Sequence, residues 1–429
     1  MKVHQVRGMR DFYPEDMALR NWLFERWRRA SRRAGFVEVD GPELEPLELY
    51  TEKSGPEIAE QLYWLEDKSR RKLALRPEFT PTLARMIAAR QAALPEPIRW
   101  FNISRCFRYE RAQKGRLREF FQWNVDLVGI AVEIADAECI SLAVDAMKEL
   151  GLGPEDVQVR INDRRLLSDF LCAYVCVPPE MVPITLGIID KRDKVPLETW
   201  VRMASDAGLT REHLDRLERL LTWDTVPEIE GIRSESGWAD SPGKAGLDSL
   251  KLLFAYLRDY GIAEWCRFDI GIVRGLAYYT GPVWEVHDRK GELRAIFGGG
   301  RYDRLLGDMG GKTMPACGFG CGDVVLGILL GERGLRPQTE PAAEFFVASA
   351  IEANFAQVLQ VVRHLRARNR ATQFDLKGGN LKRQMKKAAD AGAQFVVIVG
   401  EDFAASRRVK LRDMSSGDQR DVGLDELGV

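Results

Sequence analysis

Histidine is scarce in this chain. There are four in 429 residues, His4, His213, His287 and His364, and they lie far apart at no metal-ligand spacing. The cysteines do not supply a metal set either. The seven are odd in number and scattered, and although Cys172/Cys176 and Cys317/Cys321 are each four apart, no histidine or second pair completes a zinc pattern. Reduced thiols and no resident metal site are therefore expected. Long apolar runs are missing as well: none approaches the roughly 20 residues of a membrane span. The opening stretch MKVHQVRGMRDFYPEDM lacks the apolar core of a secretion signal. The expectation is a soluble cytoplasmic protein with no membrane partner. Net charge is close to absent, −1 from 63 basic and 64 acidic residues, so any nucleic-acid contact has to come from local basic patches. Internal repeats and low-complexity tracts are not found.

What is present is ordinary globular composition, 45% hydrophobic and 30% charged, at a length that suits two or three domains. Chemistry concentrates between Arg105 and Gly129. Cys106–Glu110 alternates apolar and charged residues, Gln113–Arg116 is a basic turn, and Phe120–Val128 is rich in β-formers, so the stretch predicts a hairpin. Arg108 and Glu110 on one arm, with Gln122 and Asp126 on the other, are evenly spaced and share a sheet face. A face with these charges is either solvated and laced with cross-strand ion pairs or built to hold a polar ligand.

The periodicity elsewhere is clear enough to place elements. Helices are predicted over Met17–Ala34, Thr80–Ala92, Ala135–Leu150 and Leu247–Tyr260, and Leu166–Leu221 reads as mostly helical with breaks at Pro178-Pro179, Pro183 and Gly208. Strands are predicted at Gly35–Val39, at Gln61–Leu65 and Lys72–Arg76 as a hairpin, and at Ile98–Ile103. Further strands are expected at Val157–Ile161, Phe268–Val273, Pro282–His287 and Leu293–Phe297. Gly231–Gly246 reads as a mobile loop and Leu335–Pro341 as a linker. Beyond it, strand and helix alternate as in a small α/β domain, with a final strand at Val409–Arg412.

Three further stretches could carry chemistry. Arg76-Pro77-Glu78-Phe79-Thr80 sets a carboxylate and a hydroxyl at a hairpin mouth, which suits an ammonium group, although helix capping by Glu78 or Thr80 explains it as well. Arg274 in VRGLAYYTG follows an apolar strand and offers a planar fork for phosphate or carboxylate; the alternative is a surface arginine with two packing tyrosines. Gly298-Gly299-Gly300 follows a strand and either hugs a ligand or another strand or makes a tight turn, but it lacks the Gly-Lys-Ser/Thr of a phosphate-binding P-loop.

In this order, RGMRDFYP, LRPEFTP, FRYERAQKGRLREFFQ, VRGLAYYTG and GGGRYDRLL resemble segments of the histidyl-tRNA synthetase family, and the resemblance runs nearly the whole chain. It implies an α+β fold: a class II antiparallel-sheet catalytic core over 1–334 with a helical insertion at about 166–262, a linker at 335–341 and an α/β anticodon-binding domain over 342–429. It implies a homodimer that activates histidine with ATP and Mg²⁺ and transfers it to tRNA(His). Carried over by residue, Glu78, Thr80 and Gln122 would hold the α-ammonium, and Asp126 and Tyr279 would face the imidazole beside Tyr278. Arg108 and Arg274 would be the catalytic cations on the α-phosphate and carboxylate, with Glu110 and Arg116 at ATP. Three departures stand out. Ala277 replaces a usual aspartate, Asp126 a glutamate, and Val325 the third-motif arginine that meets the γ-phosphate, for which Arg301 and Arg304 are stand-in candidates. The last departure admits an alternative, a histidine-binding but inactive regulatory subunit of ATP phosphoribosyltransferase. Arg363, Arg366, Arg368, Arg370, Lys377, Lys382, Arg383, Lys386 and Lys387 form either an RNA-facing patch or solvated helix faces.

Overall fold

The first helical periodicity becomes α1 (Pro14–Arg33), which buries Leu23, Trp27 and Ala30. Gly35, at φ +76°, turns the chain out of it. The chain is seen here in a computed structural model that describes residues 4–51, 60–111, 113–223, 241–274, 278–291, 293–337, 343–351 and 355–428. It falls into two units, Met1–Pro337 and Gln338–Val429.

In the first unit, β1 (Val37–Glu38) is followed by a small antiparallel sheet of β2 (Leu44–Pro46), β3 (Tyr63–Glu66) and β4 (Lys72–Leu75), with α2 (Glu48–Thr51) between β2 and β3. Then come α3 (Thr80–Arg90), β5 (Ile98–Phe107), β6 (Glu119–Val128), α4 (Ile134–Glu149) and β7 (Val157–Asp163). Four short helices follow, α5 (Arg164–Ala173), α6 (Val182–Lys191), α7 (Leu197–Asp206) and α8 (Arg211–Leu220), and then α9 (Pro242–Asp259). The unit closes with β8 (Cys266–Phe268), β9 (Pro282–Asp288), β10 (Phe297–Arg301), α10 (Leu305–Asp308), β11 (Ala316–Gly322) and α11 (Asp323–Glu332). Eight strands make one sheet in the order β1-β5-β6-β11-β10-β9-β7-β8, antiparallel except for the two edge pairs.

Register divides this sheet into two chemically different faces. Trp123, Val125 and Leu127 of β6, with Phe319 and Trp284 opposite, turn to α1, α4 and α9 and form the main core. Trp27 stacks on Trp123 at 5.8 Å, and the Trp123 indole N–H donates to Ser31 Oγ at 3.0 Å. Burying each such side chain stabilises the fold by about 1.5–3 kcal/mol. On the other face, Leu83 and Ile87 of α3 cover Ile98 and Val128 at one end. The rest of that face carries Gln122, Asn124 and Asp126 among glycines.

Several elements differ from the sequence expectation. β5 is one strand to Phe107, so Arg108, Tyr109 and Glu110 lie beyond its end rather than on the hairpin's first arm. Of the readings open for Gly298–Gly300, the close approach to another strand holds, since β10 runs through the triplet, while β11 alternates glycine with Cys and Phe and carries no apolar/polar pattern. Phe268–Val273 is strand only to Phe268. Pro183 opens α6 instead of breaking it, since a proline lacking an N–H is tolerated in a first turn. Pro242–Gly246 is the start of α9, capped by Ser241, and residues 231–240 of the expected loop lie outside the described residues, as do 338–341 of the expected linker.

In the second unit, β12 (Phe345–Ser349), β13 (Thr372–Phe374) and β14 (Phe395–Val399) are parallel, and β15 (Arg408–Asp413) and β16 (Gln419–Gly423) continue the sheet antiparallel. α12 (Phe355–Ala367) packs on Phe345 and Val347, and α13 (Leu381–Asp390) on Phe346 and Ala348, so the period of two in β12 feeds both faces. α14 (Phe403–Ser406) completes the unit, and β16 extends the chain past the strand expected to be last.

Arg301, at the end of β10, points to the core face, where it pairs with buried Asp136 of α4 and donates to the carbonyls of Ile130 and Val132. Removing one partner strands a buried charge. Asp136→Ala is expected to cost about 3–5 kcal/mol in denaturant unfolding; a loss under about 1 kcal/mol would show that the pair does not hold the sheet to α4.

Candidate functional site

The polar face is bare at its centre because β10 and β11 present glycine there. A Cβ at Gly298 would stand 2.4 Å from the Trp284 carbonyl and 3.1 Å from Arg274 Nη1; one at Gly300 would stand 2.8 Å from Tyr279. At Gly318 it would meet Asp126 Oδ1 at 2.8 Å and Tyr302 Oη at 2.9 Å, and at Gly320 it would meet Gln122 Nε2 at 2.5 Å. Large polar side chains therefore lie flat across the strands in space that any other residue would fill.

Asp126 lies deep among them, 2% exposed. Tyr302 donates a hydrogen bond to its Oδ1, and its Oδ2 is buried with no hydrogen-bond partner among the described residues. Burial pushes its carboxyl up to about 7, with the nearby Glu78 adding to the rise and the Tyr302 hydrogen bond opposing it. Burial likewise raises Tyr278, Tyr279 and Tyr302, so all three are neutral phenols at neutral pH. Their rings pack together, Tyr278 against Tyr279 at 5.0 Å and against Tyr302 at 5.7 Å.

Tyr278 donates to Glu78 Oε2 at 3.1 Å, joining the strand-to-helix turn before α3 to the tyrosine pair. The capping expectation for Glu78 and Thr80 fails: Phe79 is the N-cap of α3, without a side-chain cap, and Thr80 opens the helix. Arg274 adopts φ +62°, a left-handed conformation that costs a non-glycine residue about 1–2 kcal/mol. Its Nη1 donates to Glu285 Oε1 at 2.7 Å, and His287 Nε2 meets the other Glu285 oxygen at 3.0 Å. Burial alone would raise the Glu285 carboxyl; the His287 hydrogen bond and the Arg274 charge overcome it and hold the group well below the usual carboxylate range. Arg274 is thus a fixed cation rather than a surface one.

At the other end of β6, Cys106 donates to Gln122 Oε1 at 3.8 Å, and Asn124 donates to Ser104 Oγ at 3.3 Å. Arg108 is tied by Nε to the Pro77 carbonyl at 2.9 Å and lies over the Phe120 ring. Arg116 pairs with Glu110 at 2.8 Å. The face is therefore not a solvated one with simple cross-strand pairs. Glu78, Gln122, Asp126, Arg274, Tyr278 and Tyr279 meet around the glycine strip, with Arg108 and the Glu110–Arg116 pair at the hairpin end. Gly275 and Ala277 lie outside the described residues.

Tyr302, Asn124 and Glu285 join the site without having been singled out as site residues in the sequence. Each carries a weak signal. Tyr302 follows Gly298 and Gly300 at period two, Asn124 lies between Gln122 and Asp126, and Glu285 is an acid between Trp284 and Val286. Arg301 is not available as a nucleotide contact because Asp136 holds it on the opposite face. Arg304 lines a cavity with Arg164, Arg165 and Tyr278. Among the described residues no three His, Cys, Asp or Glu side chains are grouped to hold a metal, all seven cysteines are free, and no helix is long and apolar enough to cross a membrane.

Comparison with known proteins decides the family. The histidyl-tRNA synthetase model matches residues 8–322, and an anticodon-binding domain model matches 344–428. The chain belongs to the histidyl-tRNA synthetase family. It is 40% identical over 425 residues to the histidine–tRNA ligase, chloroplastic/mitochondrial, of Arabidopsis thaliana, covering 99% of this chain and 86% of that one. It is 41% identical over 421 residues to the histidine–tRNA ligase of Opitutus terrae, covering 98% and 96%. A crystal structure of histidyl-tRNA synthetase from Nostoc sp. PCC 7120 superimposes with a TM-score of 0.80 at 25% identity over 99% of this chain and 98% of that one. An ATP phosphoribosyltransferase regulatory subunit/histidyl-tRNA synthetase from Bacillus halodurans, TM-score 0.74 at 24% identity over 92% of this chain and 98% of that one, shares the fold. The family's antiparallel-sheet core and separate C-terminal domain are both present.

The buried carboxyl gives a pH test. Asp126 is raised from the ordinary 3.8 to about 7, so its favourable contribution is complete below 3.8 and is lost as pH rises through about 7. Relative to Asp126→Asn, the wild type is expected to lose on the order of a few kcal/mol of stability between pH 4 and 8, read by urea unfolding without ligand. A difference that stays flat over that range contradicts a carboxyl raised by burial.

Proposed function

We propose that this protein ligates histidine to tRNA(His), using ATP to form histidyl-adenylate first. The observation that carries the proposal is the buried Asp126, whose unpartnered Oδ2 lies beside three neutral tyrosines over a strip of glycine. A buried acceptor beside phenols suits an imidazole, which carries one N–H donor and one acceptor when neutral. Glu78, Thr80 and Gln122 then hold the α-ammonium, and Tyr278, bonded to Glu78, sets that carboxylate in place.

Arg108 and Arg274 take the carboxylate and α-phosphate from two sides. A histidine carboxylate oxygen bonds to the α-phosphorus as its bond to the bridging oxygen breaks, and pyrophosphate leaves with that electron pair. Negative charge gathers on the α-phosphoryl oxygens in the transition state. A guanidinium already held by Glu285 meets it without reorganising, which is where preorganised charge lowers a barrier most. ATP arrives with Mg²⁺ on its phosphates, which neutralises the departing pyrophosphate. Glu110 and Arg116 complete the nucleotide end.

Residues 1–337 carry the chemistry in this reading, and 338–429 read the tRNA. Arg363, Lys377, Lys382, Arg383 and Lys386 are exposed and suit RNA phosphates. Arg366, Arg370 and Lys387 are engaged within the unit by the Thr372 carbonyl, by Glu344 and the Gly428 carbonyl, and by Asp375. A homodimer, the cytoplasm as location and ATP-bound Mg²⁺ come with the same reading. A regulatory subunit without adenylate chemistry has less support, because the full-length relatives at 40 and 41% identity are named as ligases.

Arg274→Ala is expected to lower histidine-dependent exchange of pyrophosphate into ATP by about 10²–10³ while histidine still binds, because Glu285 keeps His287 as a partner. Full retention of exchange would remove Arg274 from the chemistry.

A further inference from the structure

The third-motif position, Val325, is a buried valine in the first turn of α11 and brings no charge to the nucleotide end of the site. The residue beside it does. Gly115 lies in the turn between β5 and β6, and a Cβ placed on it would stand 3.3 Å from Val325 Cγ2 and 3.8 Å from Arg294 Cδ. Arg294 therefore reaches from the β9–β10 connection to the same turn that Val325 borders. It is half-buried.

The charges around it are those of the site. Arg116, Glu110, Asp190 and Glu285 act on it, and burial together with the Arg116 charge lowers its pKa. Glu110 is paired with Arg116, and Glu285 with Arg274. Arg294 itself makes no hydrogen bond or ion pair among the described residues. Asp190 is likewise held by Lys194 at 2.6 Å. A guanidinium partly withdrawn from water, beside another cation and with its neighbouring carboxylates already paired to other bases, favours an added anion. A polyphosphate matches a planar fork of donors.

We propose that Arg294 binds the β- and γ-phosphates of ATP, supplying from the β9–β10 connection the cation that Val325 does not. The proposal rests on the reading of this site as an ATP-dependent histidine-activating centre. Gly115 lets the Gln113–Arg116 turn come close to both Val325 and the Arg294 stem, and in this assignment Arg116 and Arg294 act on one phosphate chain.

The test is full-length Arg294→Ala beside wild type, with Arg294→Lys as the second variant should the alanine variant not fold. Pyrophosphate exchange is expected to show KM for ATP and for pyrophosphate raised about ten- to a hundredfold, with KM for histidine unchanged. Calorimetry reads the same contact without turnover. Wild type should bind ATP more tightly than AMP, the variant should lose most of that preference, and AMP, which lacks the β- and γ-phosphates, should bind both alike. Unchanged KM for ATP and pyrophosphate, or AMP binding weakened as much as ATP binding, would overturn the assignment. Absence of exchange in wild type would instead fell the activating-centre reading, and the ATP-over-AMP preference would still decide whether Arg294 holds the phosphates.

Discussion

The site depends on a strip of sheet that has no side chains. On the polar face of β10 and β11, Gly298, Gly300, Gly318 and Gly320 leave the backbone uncovered, and Arg274, Tyr279, Asp126 with Tyr302, and Gln122 lie in the vacated space. A single methyl on Gly318 would overlap the Val125 carbonyl at 2.3 Å and Asp126 at 2.8 Å. Glycine is a poor strand residue, and a strand interior rich in it is weak by itself. The other face offsets this weakness. Trp123, Trp284 and Phe319 pack together beneath Trp27 of α1 and help to hold β10 and β11 in register. The aromatic core and the hollow site are two faces of the same strands.

Burial then sets the charge of each group. Asp126 is deep and only partly satisfied, so its carboxyl rises towards neutrality; Glu285, also buried, falls because His287 and Arg274 bracket it. Two carboxyls on one sheet face are driven in opposite directions. The first is left short of a donor, as a recognition group should be. The second is fully engaged and serves to position Arg274. The strained backbone at Arg274 belongs to the same arrangement, since a left-handed residue persists only where its surroundings hold it.

The sequence made much of this visible, though unevenly. Amphipathic period placed α1, α3 and α4 within a few residues, and the charged hairpin marked β6 as chemically unusual. Glycine hid the rest: β11 has no apolar/polar alternation, and the triplet in β10 fits a turn as well as a strand until its partners Val283–Glu285 and Gly318–Gly320 are known. Tyr302 and Glu285 carry only a weak signal as site residues for that reason, because their roles come from cross-strand register rather than local pattern. Arg301 shows the opposite error. It lies in a conspicuous motif, yet an odd position on β10 sends it to Asp136 and the core. Arg294 carries no local signal and is found only through its contact with the Gly115 turn.

The measurement that tests the central claim most directly is pyrophosphate exchange into ATP by the wild-type protein, with Mg²⁺ and without tRNA, for histidine against the other amino acids. A carboxylate left open beside neutral tyrosines over a glycine floor, flanked by fixed arginines, predicts exchange with histidine and not with the others. No exchange from folded protein that still binds histidine would contradict the account and leave a site that recognises the amino acid without activating it.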